Sequence, residues 1–298
     1  RIPDERAFLA TLDRPANYRP LAYDWGHQLR LEGYQLWPEW IQPGRSVVLG
    51  FNWRGEADQP IDYEAFVQIV NRRGEPVGQA YGNSVSVSTK QRWRSPGLAP
   101  EQRILWLGAE QEPGPYLVRV GLANPDTGER LPVYGAGGEL LGDHVYLGLF
   151  YLAHDGRDPR QPQTICPATL GESIRLLGYS LAPRSLNPNQ ISLWLYWQAL
   201  GPIGVDYTAF VQLLDTNDRL IAGHDAQPLS GLYPTSRWQP GETVADQFTL
   251  NVPEQLAPGT YRLVTGMYRL DTGQRLPAYD IHGQALPEDR VTLTELPE

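Results

Sequence analysis

The chain has 298 residues, a formal net charge of −9 and one cysteine, Cys166. At roughly 150 residues per domain this length implies two domains, each able to bury its own core. Acidic and basic residues are mixed along the chain, which argues against nucleic acid or an anionic membrane as the partner, and one cysteine excludes an intramolecular disulfide framework.

Residues 1–20 read as an N-terminal segment or linker. The chain starts at Arg1 rather than Met and carries no signal peptide, so it reads as a mature or excised part of something longer. Residues 21–153 read as a first β domain, because the hydrophobic period is two. Val47–Trp53 is rich in aromatic and β-branched residues, as strands are. In Tyr63–Val70, Tyr63, Ala65, Val67 and Ile69 share one face. Tyr116, Val118, Val120 and Leu122 make another alternating strand. Turn signals cut the pattern about every ten residues, at Pro43-Gly44, Arg73-Gly74, Pro96-Gly97, Pro113-Gly114, Asp126-Thr127-Gly128 and Gly137-Gly138. No segment carries a long amphipathic helix, and no run approaches the ~18 apolar residues of a membrane span.

Residues 154–167 are polar and contain proline, so they read as the linker. Residues 168–298 then repeat the first domain. Gly33-Tyr34-Gln35-Leu36 returns as Gly178-Tyr179-Ser180-Leu181. Asp62-Tyr63-Glu64-Ala65-Phe66-Val67-Gln68 returns as Asp206-Tyr207-Thr208-Ala209-Phe210-Val211-Gln212. Asp126-Thr127-Gly128 returns as Asp271-Thr272-Gly273. The offset stays within one residue of 145, so the same fold is expected twice. Pro113-Gly114-Pro115-Tyr116 and Pro258-Gly259-Thr260-Tyr261 resemble the tyrosine corner of immunoglobulin-like sandwiches. The expected architecture is all-β: two tandem Ig-like antiparallel β-sandwich domains, favoured over jelly rolls.

The repeat separates scaffold from function. The two Asp-Thr-Gly runs look like the halves of an aspartic protease dyad, but their solvated flanks read as hairpin turns. Arg92-Trp93 and Arg237-Trp238 could stack on a sugar ring; their presence in both copies favours a packing role. Trp53 and Trp197 match and belong to the cores. Trp37 and Trp40 have Ala182 and Ser185 as counterparts, so the fold does not require these indoles. They sit in a Pro-containing edge loop and are candidates for contact with glycan or protein, or for covering a domain-specific core or seam. His27, His144, His154, His224 and His282 show no metal-ligand spacing, and no phosphate loop or nucleophile elbow is present. No cofactor and no metal are expected. Lys90 is the only lysine and Met267 the only methionine; with 27 prolines this fits a heat-adapted protein, although a high-GC genome would also favour arginine.

Further residues carry a resemblance. Leu176-Leu177-Gly178-Tyr179-Ser180-Leu181, Leu195-Tyr196-Trp197-Gln198-Ala199-Leu200 and Asp206–Asp215 form one part of it. Leu232–Glu242, Leu256–Arg262 and the Asp271-Thr272-Gly273 turn form the rest. Together they resemble the extracytoplasmic β-sandwich repeats at the C-termini of multi-spanning, family-39-like glycosyltransferases of Chloroflexota-type bacteria. The second unit matches nearly throughout. The first matches more loosely, departing at Trp93-Arg94-Ser95 and around Ser84–Lys90. The resemblance implies an ectodomain without catalytic carboxylates, any catalysis lying in a membrane part.

The expected function is therefore a non-catalytic, extracellular module of a bacterial cell-surface protein. Its partner would be a cell-surface glycan or protein, or like modules. One alternative is an accessory ectodomain presenting acceptor sugar or protein to a membrane glycosyltransferase. Another is a self-assembling surface fibre, with residues 1–12 (Ile2, Phe8, Leu9, Leu12) as a donated strand.

Overall fold

A computed structural model describes residues 18–55, 63–81, 97–182, 189–256 and 258–297. The chain divides into two compact units, Arg1–Arg157 and Asp158–Glu298. Among the described residues every long element is a strand and no α-helix occurs.

Unit 1 contains β1 (Tyr18–Trp25), β2 (Leu29–Trp37), β3 (Trp40–Ile41), β4 (Ser46–Gly55), β5 (Glu64–Val70) and β6 (Pro76–Tyr81). It continues with β7 (Gly97–Trp106), β8 (Gly114–Ala123), β9 (Val133–Tyr134), β10 (Leu140–Gly142) and β11 (Val145–Leu152). Their order is β10-β9-β1-β2-β4-β7-β6-β5-β8-β11-β3. Neighbouring strands are antiparallel except β3, which runs parallel to β11. Among the described residues, Ala80–Leu105 and Tyr81–Ile104 join the two halves at β6–β7.

Unit 2 contains β12 (Thr164–Leu170), β13 (Ile174–Leu181), β14 (Gln190–Ala199), β15 (Tyr207–Leu214) and β16 (Leu220–Ala226). Then come β17 (Thr243–Asn251), β18 (Thr260–Arg269), β19 (Ala278–Tyr279) and β20 (Val291–Pro297). Here the halves are separate sheets, β17-β14-β13-β12-β19 and β16-β15-β18-β20. The same order recurs in unit 1, with β3 and β10 added at its ends, so the sequence repeat is a repeat of topology.

Alternation makes each unit a sandwich, because successive side chains of a strand point to opposite faces. In β4, Val47, Leu49, Phe51 and Trp53 are all buried and join one cluster with Ile69, Val118, Val120 and Phe150. In β14, Ile191, Leu193, Leu195 and Trp197 are buried in the same way. Each such side chain contributes about 1.5–3 kcal/mol by leaving water. Trp25 meets Trp53 edge-on at 5.2 Å, a geometry that suits the aromatic quadrupoles.

The repeated Gly-Tyr step has a local cause. β13 shifts register against β12 and β14 around Gly178, whose φ is +154°. A Cβ there would overlap the Thr164 carbonyl oxygen; at Gly33 it would overlap the Tyr18 hydroxyl. Only glycine permits this approach between the first two strands of either unit.

The tyrosine corner of unit 1 forms: the Tyr116 hydroxyl donates to the Glu112 carbonyl at 2.6 Å. Burial, and then the Glu112 carboxylate, push that phenol up to about 12 against an opposing effect of Arg72. Tyr261 is buried at the matching point of β18.

Strand pairing begins inside two segments read as linker. Residues 18–20 belong to β1, and residues 164–167 belong to β12. The rest of 154–167 is tied down by short-range bonds. Asp158 accepts from the Arg160 guanidinium at 2.9 and 2.7 Å, and Gln163 N–H donates to Ser180 Oγ at 3.0 Å. Cys166 thus lies within a strand, not between the repeats.

Candidate functional site

Trp37 and Trp40 end up on different strands. Trp37 is the last residue of β2, paired with Val48 of β4, and is 58% exposed. Pro38 and Glu39 then carry the chain across to β11. There Tyr151 N–H donates to the Glu39 carbonyl at 2.9 Å and Trp40 pairs with Tyr151. Trp40 is half-buried, next to core residue Ile41. Of the two candidate indoles, Trp37 is well exposed and Trp40 is half-buried.

Trp238 is a core residue at 2% exposure. Its indole N–H donates to the Tyr233 carbonyl at 3.1 Å, and the Tyr233 hydroxyl donates to Glu242 Oε2 at 2.9 Å. Gln239 N–H also donates to Glu242 Oε2, so one carboxylate organises the whole turn. Arg237, half-exposed, contributes its carbonyl to the Tyr233 hydroxyl at 3.4 Å. The pair is packing in unit 2, and its indole is not offered to a ligand. Arg92 and Trp93 lie outside the described residues, as do residues 1–12.

Both Asp-Thr-Gly runs are exposed turns, with φ of 73° at Gly128 and 69° at Gly273. The side-chain bond that opens the first turn comes from Asn124, not Asp126. Asn124 Oδ1 accepts from the Asp126 and Thr127 N–H groups at 2.9 and 3.0 Å. In the second turn Arg269 donates to both Asp271 oxygens, which holds that carboxyl below its usual value. A catalytic dyad instead needs two close carboxylates sharing one proton. Burial pushes the Cys166 thiol up, away from the thiolate form a nucleophile needs. Among the described residues no group of three His, Cys, Asp or Glu is placed to hold a metal ion.

A cavity of about 320 Å³ opens in unit 2, lined by Asp215, Asn217, Arg219, Gln255 and Tyr261 among others. Its carboxylate serves the β15–β16 turn: Asp215 Oδ1 accepts from Asn217 and Arg219 N–H at 2.8 and 2.9 Å.

The distinctive surface lies on the outward face of β2, β4 and β7. Pairing across these strands builds three rows. The first is Gln35–Gly50–Gln102, the second Trp37–Val48–Ile104, and the third places Ser46 beside Trp106. Trp106 is 47% exposed and escaped the sequence reading. The signal was available: its register partner Ser46 corresponds to Gln190, whose own partner is Asn251. Trp106, like Trp37, is thus a tryptophan that the other copy does without. Across two strand spacings and a two-residue offset, the Trp37 and Trp106 Cα atoms stand about 12 Å apart. No side chain in these rows is ionisable.

The same face of unit 2 carries half-buried Trp194 where unit 1 has Gly50, but lacks counterparts of Trp37 and Trp106. Ser192 and Thr249, in place of Val48 and Ile104, bond to each other at 3.0 Å. Gln190 donates to Asn251 at 3.0 Å, and Ser180, in place of Gln35, donates to the Tyr196 hydroxyl at 3.2 Å. Burial raises the Tyr196 phenol, which keeps it protonated. That face closes its hydrogen bonds within itself.

No protein-family model matches the chain, and no curated protein matches it. Among solved structures it is similar to a DUF4785 family protein from Legionella pneumophila subsp. pneumophila str. Philadelphia 1. The identity is 11% and the TM-score 0.26, over 87% of this chain and 57% of that one. The chain thus spans a little over half the length of that protein.

Proposed function

We propose that this chain is a non-catalytic binding module of a bacterial cell-surface protein, built from two tandem Ig-like sandwiches and working outside the cytoplasm. The observation that carries this reading is the contrast between the copies. Strand order is shared, yet unit 1 presents Trp37 at 58% exposure where unit 2 has Ala182. Large exposed aromatics mark contact surfaces rather than folding requirements. Unit 2 is then scaffold and unit 1 carries the contact. The Ig-like reading is supported by the tyrosine corner at Tyr116. The non-catalytic reading is supported by the fate of the Asp-Thr-Gly runs, both of which are spent on turns.

The test is location. Protease added to intact cells that produce the protein with its native flanking sequence should degrade this region, while a cytoplasmic marker survives. Protection until the cells are lysed would reject the reading.

A further inference from the structure

We infer that the outward face of β2–β4–β7 in unit 1 is a glycan-binding site. Its ligand would be a linear, uncharged oligosaccharide segment that stacks one ring on Trp37 and another on Trp106, with at least one ring between. The inference rests on the reading of unit 1 as a contact surface and adds the ligand class and the residues.

Three observations point to sugar. The two exposed indoles lie on one face about 12 Å apart, with Val48, only 5% exposed, between the strands that carry them. A flat apolar ring face beside hydrogen-bonding groups suits a pyranose, which has apolar C–H faces and a hydroxyl rim. The second observation is the row next to the indoles. Gln35, 8% exposed, and Gln102 flank Gly50 across the three strands. The Gln35 and Gln102 amides and the Ser46 hydroxyl thus lie on the same face as the two indoles. Amides both donate and accept, as sugar hydroxyls do, so this row can meet the hydroxyl rim of a ring stacked on the indoles. The third observation is charge: the chain carries −9, yet these rows contain no ionisable side chain, which selects against acidic polymers and cationic peptides.

Unit 2 supplies the internal control. The same strands there carry Ala182, Ser192, Thr249, Gln190 and Asn251, and four of these pair with one another. No site is expected on that face.

The experiment is affinity electrophoresis and calorimetry of the intact chain against neutral polysaccharides (β-glucan, mannan, galactan, xylan, amylose) and acidic ones. The variants are Trp37→Ala and Trp106→Asn, which install what unit 2 carries, with Asn251→Ala as the control. The native chain should bind at least one neutral polymer. Each tryptophan variant should weaken that binding about tenfold, as loss of an anchoring aromatic does. Asn251→Ala should leave it unchanged, and near-UV circular dichroism should show every variant folded. Several outcomes overturn the inference: no neutral polymer bound, binding confined to acidic polymers, or binding that survives both tryptophan changes. Self-association lost on Trp37→Ala without any sugar binding also overturns it, in favour of a second copy as partner. A chain found outside the cell that fails this assay would lose the ligand but keep the function proposed above.

Discussion

The Trp53 indole N–H donates to Glu101 Oε2 at 3.0 Å, deep in unit 1. The other Glu101 oxygen accepts from Arg103 Nε at 2.6 Å, and the Glu101 side chain is 1% exposed. Unit 2 solves the same position differently. Trp197 is equally buried but its indole nitrogen has no partner, and Arg103 is replaced by the buried Phe248. A buried carboxylate is tolerated only where it is paired. Glu101→Ala should therefore remove the carboxylate that accepts from both Trp53 Nε1 and the Arg103 guanidinium. The expected loss is about 3 kcal/mol of unit 1 stability, at the lower end for a broken buried pair because Arg103 keeps some access to water. Chemical denaturation followed by tryptophan fluorescence measures it; a change below about 0.5 kcal/mol, as for an ordinary surface site, would reject the account.

The tyrosine corner gives a pH dependence with a definite sign. The Tyr116 phenol is raised from 10.0 to about 12, first by burial and then by Glu112. The folded state thus holds this proton more tightly than the unfolded state. The stabilisation is complete below pH 10 and is lost as pH rises from 10 towards 12. Tyr116→Phe removes the bond to the Glu112 carbonyl and should cost about 0.5–1.5 kcal/mol at neutral pH. It should also flatten the fall in stability between pH 10 and 12 relative to the native chain. Equal slopes for the two proteins in that window would show that Tyr116 titrates normally.

Gly178 should not tolerate a methyl group. Its φ of +154° and the nearby Thr164 carbonyl leave no room for Cβ. Gly178→Ala should lose about 1–3 kcal/mol from backbone strain alone, with the clash added to that. Thermal unfolding of unit 2 checks it, and an unchanged midpoint would mean that the β12–β13 approach relaxes freely.

The strands were legible in the sequence because burial on one face imposes a period of two. The four positions predicted to share the β8 face, Tyr116 to Leu122, are all buried. The repeat offset also singles out Trp37, which the structure places at the surface. Trp40 is half-buried because Pro38 and Glu39 carry the chain from β2 across to β11, a path that residue type does not reveal. The same offset aligns Trp106 with Asn251, but no motif near Trp106 repeats, and only the pairing of β4 with β7 places it on the face of Trp37. Asp-Thr-Gly reads as a turn from its residue types, but the oxygen that reaches the first turn belongs to Asn124. Local chemistry is written in residue type, but which side chain reaches a given N–H is decided by backbone path.

Trp238 makes the last distinction between scaffold and site. It is 2% exposed and hydrogen-bonded to the Tyr233 carbonyl, in a turn held by Glu242 and Thr235. Thr235 Oγ1 accepts from Tyr207 N–H at 2.9 Å and donates to the Val205 carbonyl at 2.8 Å, which fastens the turn to the start of β15. Trp238→Ala should therefore cost about 3–5 kcal/mol of unit 2 stability, the range for deleting a buried large aromatic. Ligand binding measured on protein that remains folded should be unaffected, since no exposed surface is removed. Trp37→Ala should behave in the opposite way: at 58% exposure it should change stability by less than about 0.5 kcal/mol and reduce binding. Measuring both quantities for both variants separates the two roles. If Trp238→Ala lost binding at unchanged stability, the repeated Arg-Trp pair would be part of the site rather than the scaffold.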